Sequence, residues 1–169
     1  MRHYTLIGHC SHGSRSLQAA RRYSLSLLLA SAASFSHAQA PAPEQALTST
    51  AGDVHLKWGP CPPFLPQGCG IAVLHGDPAK DNVDVFLKVP GRSSIPLHFH
   101  TSAERMVLVA GELQVTYQGQ KMAVLKPGTY AYGPPKLPHH GFCASDVACV
   151  LFIAFESPLD AVPVEGAAK

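Results

Sequence analysis

The sequence predicts an all-β sandwich or barrel. From Val83 onward, short apolar or alternating segments recur at regular spacing between turns, which is typical of such folds. No long segment shows the 3.6-residue period of a helix. With 14 Gly and 15 Pro among 169 residues, the chain has too many of both for a helical bundle and too few for a low-complexity chain.

The predicted strands follow one another along the barrel. Val83–Val89 alternates apolar and mainly polar residues, as a half-buried strand does, and a Pro90-Gly91 turn follows it. Leu113–Tyr117 alternates in the same way before a hairpin turn at residues 118–120. Short apolar or β-branched runs bounded by turns predict six further strands: Ile95–His100, Met106–Ala110, Lys121–Leu125, Thr129–Tyr132, His139–Cys143 and Cys149–Phe155.

The regions outside these strands have a different composition. Residues 1–38 have the features of an export signal: Arg21-Arg22 precedes an apolar run of about a dozen residues, shorter than a membrane span. Ser36–Ala38 fits a signal-peptidase site, so we expect the mature chain to begin at Gln39 and to be periplasmic or secreted. A buried N-terminal helix is the alternative, and the arginine pair leaves twin-arginine export open.

Residues 39–70 are predicted to be an arm and a Pro/Gly-rich loop, 71–157 a barrel, and 158–169 a surface tail.

Removal of this leader changes the charge of the protein. The formal net charge of the whole chain is +2. Four of its 13 basic residues and none of its 11 acidic residues lie in the leader, so the mature chain has nine basic and eleven acidic residues. A basic chain would suggest nucleic acid or a membrane surface as partner. With that basis gone, we expect neither partner for the mature protein.

Four cysteines remain after the leader: Cys61, Cys69, Cys143 and Cys149. Four cysteines allow three pairings, and proximity in sequence favours Cys61–Cys69 and Cys143–Cys149. A zinc site made of all four is the alternative, but such sites usually separate paired cysteines by two to four residues. An oxidising compartment favours the two disulfides.

Three histidines and one glutamate form a metal-ligand pattern. His98 and His100 project to one face of their predicted strand, and Glu104 follows four residues later. His139 comes from a separate strand after a Pro-rich turn. Alternate residues of each strand point into a barrel, so these side chains can converge there. Such a set suits a divalent first-row metal with open positions. His55 and His75 have no such pattern and are expected to be ordinary histidines.

This pattern resembles the two sequence motifs of the cupin superfamily. The first motif is matched by Gly91, His98, His100, Glu104 and Gly111, although Gly91 lies one residue too far from His98. The second is matched by Gly128, Pro134 and His139, with Lys136 and Cys143 in place of its glycine and asparagine.

The resemblance implies a double-stranded β-helix, or jelly roll, with a metal inside the barrel. It implies that His98, His100, Glu104 and His139 bind one divalent metal per chain, which could be Fe, Mn, Ni or Zn. The register after Pro134 favours His139 over His140. A metal-dependent enzyme is expected, of the dioxygenase-like oxidoreductase kind, with a small aromatic or carboxylate compound as ligand. The alternative is a non-catalytic metal-binding or ligand-binding protein of the cell envelope. Both a homodimer and a monomer stay open.

The catalytic groups are less clearly indicated than the metal ligands. Tyr130 and Tyr132 share one face of a predicted strand, and we expect that face to point inward because the fourth ligand follows nearby. Lys136 could place a positive charge near the cavity mouth, or could be a solvated turn lysine. Tyr117 and Arg105 are further candidates for groups close to the metal.

Overall fold

The computed structural model describes residues 44–166, which form eleven β-strands. The strands are β1 (Trp58–Pro60), β2 (Gly70–His75), β3 (Val83–Val89), β4 (Ser94–Phe99), β5 (Glu104–Ala110), β6 (Leu113–Tyr117), β7 (Ala123–Leu125), β8 (Tyr130–Gly133), β9 (His139–Cys143), β10 (Cys149–Phe155) and β11 (Val162–Pro163). Within this part of the chain, no helix is long and apolar enough to cross a bilayer. The predicted export signal and its cleavage before Gln39 lie outside the described residues.

The strands form two antiparallel sheets. One has six strands in the order β1-β2-β3-β10-β5-β8, and the other has five in the order β11-β4-β9-β6-β7. A single apolar core takes buried side chains from both sheets, for example Val85 and Leu151 from the first and Ile95 and Val115 from the second. The sheets therefore face each other across this core, and the prediction of an all-β jelly roll is confirmed.

Strand β3 shows how the period of two builds the barrel. Val83, Val85 and Val89 are at most 1% exposed and belong to the core, as the alternation predicts. Phe86 points the other way, yet it is also buried. It packs edge-to-face against Phe152 of the neighbouring strand β10, and their ring centroids are 6.5 Å apart. The outer face of the six-stranded sheet therefore has an apolar contact of its own.

Three strands lie where the sequence pattern predicts none. Strand β1 contains a glycine and a proline, and β11 has only two residues, one of them proline, so neither shows strand alternation. Both are edge strands, the place where proline is tolerated because it cannot donate a hydrogen bond to a neighbour. Strand β2 joins β1 to the body of the six-stranded sheet.

The four described cysteines pair locally, as their spacing predicts. Cys61 is bonded to Cys69 and Cys143 to Cys149, with Cα separations of 5.6 and 5.8 Å. The first bond closes residues 61–69, here called the disulfide loop. The second joins the end of β9 to the start of β10 in the core. The all-cysteine zinc site is therefore wrong.

The two disulfides are predicted to differ in their resistance to reductant. Cys143 and Cys149 are fully buried, whereas Cys61 and Cys69 are half-buried, and thiol–disulfide exchange needs access to a sulfur atom. Partial reduction followed by alkylation and peptide mapping should label Cys61 and Cys69 first. Equal labelling of both pairs at every time point would contradict this.

Candidate metal centre

Four buried polar side chains meet inside the barrel. His98 lies on β4, His100 directly follows that strand, and His139 begins the neighbouring strand β9. Because His98 and His139 are register partners across β4 and β9, their side chains lie on the same inner face. Glu104 begins β5 in the opposite sheet. All four residues are between 3 and 8% exposed.

Backbone carbonyl groups orient the three imidazole rings. Nδ1 of His98 contacts the carbonyl oxygen of Pro96 at 2.8 Å, and Nδ1 of His139 contacts that of Leu137 at 3.2 Å. Nδ1 of His100 contacts the carbonyl oxygen of Asp160. A carbonyl oxygen can only accept a hydrogen bond, so each Nδ1 carries the proton and each Nε2 keeps a free electron pair. Ring nitrogens with this kind of partner are typical of metal-binding histidines.

The free electron pairs converge on one point. One ring nitrogen from each histidine lies within 4.8 Å of the others. Glu104 Oε1 is 3.1 Å from His100 Nε2, and Glu104 Oε2 is 3.4 Å from His139 Nε2. Glu104 Oε2 is buried and has no hydrogen-bond partner. These acceptors can lie so close only with a proton or a cation between them, so the residues fit a divalent metal.

Burial disfavours the protonated, charged form of the three imidazole rings. It lowers the pKa of His98 to about 3 and that of His139 to about 4, and it also lowers the pKa of His100. Burial raises the pKa of Glu104 to about 8, and the charge of Asp160 adds to this rise. At neutral pH the histidines are neutral, which is the form that binds a metal.

The four side chains line a cavity of about 420 Å³. Aliphatic side chains from both sheets form most of its wall, including Val85, Leu87, Ile95, Leu113 and Leu151. The polar side chains that line it are the three histidines, Glu104 and Asp160. The cavity is therefore apolar apart from the metal-ligand cluster and Asp160.

Two segments outside the central strands complete the cavity wall. In the disulfide loop, Leu65 lines the cavity and the ring of Phe64 packs against His98 at a centroid distance of 5.7 Å. The second segment is residues 157–164, here called the C-terminal strap. Within it, Leu159 and Asp160 line the cavity.

Side-chain and backbone hydrogen bonds anchor the C-terminal strap. The Asp160 carboxylate accepts hydrogen bonds from the backbone N–H of Thr101 at 2.9 Å and from its hydroxyl at 2.7 Å. The N–H of Val164 donates to the carbonyl of Leu97. These contacts hold the Asp160 carbonyl at the ring of His100. The sequence carries no signal for this contact, because it is made by a backbone oxygen 60 residues away.

The comparisons with known proteins agree with this geometry. The family model for the cupin domain matches residues 85–155, the span that holds all four side chains. Residues 85–155 of this chain therefore belong to the cupin superfamily. Searched against curated protein sequences, the chain finds no match.

Solved structures resemble the chain in fold at low sequence identity. DMSP lyase DddQ from Ruegeria pomeroyi DSS-3 has a TM-score of 0.58 and 17% identity, over 68% of this chain and 64% of that one. An RmlC-like cupin from Shewanella frigidimarina has a TM-score of 0.51 and 20% identity, over 62% and 86%. Oxalate decarboxylase from Bacillus subtilis has a TM-score of 0.52 and 17% identity, over 60% and 29%. The chain thus spans slightly less than two thirds of the lyase that it matches.

Two of the predicted catalytic residues of this cupin point away from the cavity. Tyr130 and Tyr132 are 60% and 50% exposed, so the expectation that they face inward is wrong. In the register of β8 with β5, Tyr130 pairs with Val107 and Tyr132 with Arg105. These two residues of β5 alternate with the buried Glu104, Met106 and Leu108 and face outward.

Lys136 is also outside the site. Its side chain is exposed and is not among the residues that line the cavity. Its backbone has a φ of 61°, the left-handed conformation that a glycine would adopt at lower cost, and its N–H donates to the carbonyl of His100 at 2.7 Å. The backbone of Lys136 is therefore part of the turn that precedes β9, and its side chain lies outside the cavity.

Tyr117 and Arg105, the other two candidates, lie in different environments. Arg105 forms an ion pair with Glu156 at the surface. Tyr117 is 8% exposed, and its ring centroid lies 4.9 Å from that of His139. Its buried hydroxyl has no hydrogen-bond partner. Burial raises the pKa of Tyr117, and the charge of Glu104 raises it further, so the phenol stays protonated.

Gly133 is predicted to be intolerant of a side chain. A Cβ atom there would lie 2.8 Å from the Tyr117 hydroxyl oxygen and 3.0 Å from Glu104 Oε2. Gly133→Ala should lower the free energy of unfolding by about 1–3 kcal/mol, as overpacking does. Urea denaturation measures this. The matched control is Gly59→Ala, because a Cβ at Gly59 meets only one atom, at 3.7 Å. Equal stability of the two variants would contradict the prediction.

The stability of the metal-free protein is predicted to fall between pH 6.5 and 8. Glu104 has an ordinary pKa of 4.5 that is raised to about 8 on folding, so its contribution is full below 4.5 and is lost as the pH rises to 8. The lowered histidine pKa values make the opposite contribution, which still grows by about 0.4 kcal/mol for each histidine above their ordinary value of 6.5. Glu104 alone should lose about 1.6 kcal/mol between the two pH values, so the net fall should be about 0.5 kcal/mol.

Urea denaturation of chelator-treated protein at both pH values measures this fall. Glu104→Gln is the matched variant, because its amide cannot ionise. The fall should be absent in Glu104→Gln. If Glu104→Gln loses as much stability as the wild type between the two pH values, the fall is caused by another group.

Proposed function

We propose that this cupin binds one divalent first-row transition metal through His98, His100, Glu104 and His139, and that it is a metal-dependent enzyme. The observation that carries the proposal is the convergence of three neutral imidazoles and the Glu104 carboxyl group in a cavity whose lining is otherwise apolar except for Asp160. Three nitrogen ligands and one oxygen ligand suit Fe, Mn, Ni or Zn and leave coordination positions open. We further propose dioxygenase-like oxidoreductase activity on a small molecule held in the cavity.

A bound metal would supply Lewis-acid or oxygen chemistry at its open positions. The chain itself contributes position and environment. Carbonyl oxygens at Pro96, Leu137 and Asp160 hold the three rings so that Nε2 points inward. The aliphatic wall excludes water from the ligand, and this strengthens every electrostatic interaction at the site. Glu104 offsets part of the metal charge.

A second candidate is a non-catalytic metal-binding or ligand-binding protein. The observation that favours it is the character of the cavity lining. Apart from the proposed ligands, the described residues that line the cavity include only Asp160 as a proton-transferring side chain, and its carboxylate is engaged by Thr101. The candidates Tyr130, Tyr132 and Lys136 lie outside.

The proposal also includes export. Two disulfides among the described residues support an oxidising compartment such as the periplasm. Mass analysis of the N-terminus of the protein recovered from outside the cytoplasm should find Gln39 as the first residue. Recovery of an uncleaved chain in the cytoplasm would contradict export.

Metal content is predicted to depend on the buried histidines. Elemental analysis of the purified wild type should find about one metal per chain. His100→Ala should weaken metal binding by more than about 100-fold, since losing even a hydrogen-bond partner of a ligand costs 10–100-fold. The control is His140→Ala, because His140 is the exposed neighbour of His139. Equal metal content in the wild type and His100→Ala would refute the ligand assignment.

Oxygen uptake separates the enzyme from the binding protein. The protein loaded in turn with iron, manganese and nickel should consume O2 with at least one flavonol or small organic acid. His139→Ala should abolish the uptake, and Tyr132→Phe should not change it, because Tyr132 lies outside the cavity. Full metal occupancy with no uptake for any pair of metal and substrate would favour the non-catalytic candidate.

A further inference from the structure

The charged groups that line the cavity are all acidic. Glu104 lies in the metal-ligand cluster, and Asp160 lies where the C-terminal strap meets the cavity. The described residues that line the cavity include no lysine and no arginine. Lys136 and Arg105 do not reach it, because one is exposed on a turn and the other is paired with Glu156. The cavity therefore has no side chain that could neutralise an anionic group away from the cluster.

The rest of the cavity wall is also poor in hydrogen-bond donors. Among the described residues, the lining beyond the histidines and the two acids consists of aliphatic and aromatic side chains, prolines, a glycine and a disulfide cysteine. A charged or strongly polar group placed against this wall would lose its water and gain no partner, which is strongly unfavourable. An apolar group placed there would gain the hydrophobic contribution of its buried surface.

We infer that the cavity binds small molecules with one oxygen-donor head group and an apolar body, and that it rejects molecules with a second charged group. The head group, such as a carboxylate, phenolate or enolate, would lie at the histidine cluster, and the body against the aliphatic wall. The inference rests on the proposed metal for the head group and on the wall itself for the body. It excludes small dianions such as oxalate as preferred ligands.

Leu87 is the residue through which the wall can be altered. It lies on β3, lines the cavity and is half-buried, so a polar side chain there has a route to solvent and the fold should survive. Val109 on β5 is a matched control, because it is an apolar strand residue of the same sheet whose side chain is 39% exposed and outside the cavity.

Titration calorimetry of the zinc-loaded protein with octanoate and suberate tests the inference. The two ligands differ only at the far end, where suberate has a second carboxylate in place of a methyl group. Octanoate should bind at least about 100-fold more tightly than suberate, because the second carboxylate finds no partner. Octanoate should also bind about 15-fold more tightly than hexanoate, at roughly fourfold per methylene.

Two variants test whether octanoate binds in the cavity. Leu87→Gln should weaken octanoate binding by about tenfold or more, and Val109→Gln should leave it unchanged, with thermal melts as the check on folding. Suberate binding within threefold of octanoate, or no dependence on chain length, would overturn the inference. Neither of these results requires a variant to fold.

Zinc occupancy, measured on the same samples, separates this inference from the proposed function. A chain that binds none of zinc, iron, manganese and nickel would refute the proposed metal centre. The octanoate, suberate and hexanoate series on that metal-free chain would still test the apolar wall. A chain that binds zinc but does not distinguish octanoate from suberate would refute the inference and leave the metal centre standing.

Discussion

Three imidazole nitrogens and a carboxylate direct unshared electron pairs at one point inside an apolar barrel, and most of the structure around them serves to keep them there. Water could satisfy such groups at a surface, but these residues are 3–8% exposed. Without a positive charge among them they would repel one another, and a proton on Glu104 relieves this only in part. A shared divalent cation would satisfy all four at once.

The arrangement depends on contacts from separate parts of the chain. The register of β4 with β9 places His98 beside His139, and the start of β5 brings Glu104 across from the opposite sheet. The C-terminal strap supplies the carbonyl that orients His100. The disulfide loop places Phe64 against His98. Because segments before, within and after the central strands all contact the cluster, a folding error in any of them would disturb it.

The sequence predicts the cluster better than its surroundings. His98, His100, Glu104 and His139 are recognisable because spacing on strands determines which side chains share a face, and few chemistries use that set. The face of Tyr130 and Tyr132 could not be predicted, because alternation gives two opposite faces and only the register of β8 with β5 decides between them. Asp160 could not be found at all, since its backbone oxygen makes the contact. Strands β1 and β11 were missed because short edge strands with proline show no alternation.

X-ray absorption fine structure of the metal-loaded protein tests the shared-cation account most directly, because it counts the ligand atoms around the metal by type. The account predicts three imidazole nitrogens, with the remaining ligands all oxygen and none of them sulfur. In His98→Ala, the account predicts that the metal loses one imidazole nitrogen and keeps its other protein ligands. Sulfur ligands, or fewer than three imidazoles in the wild type, would contradict the account.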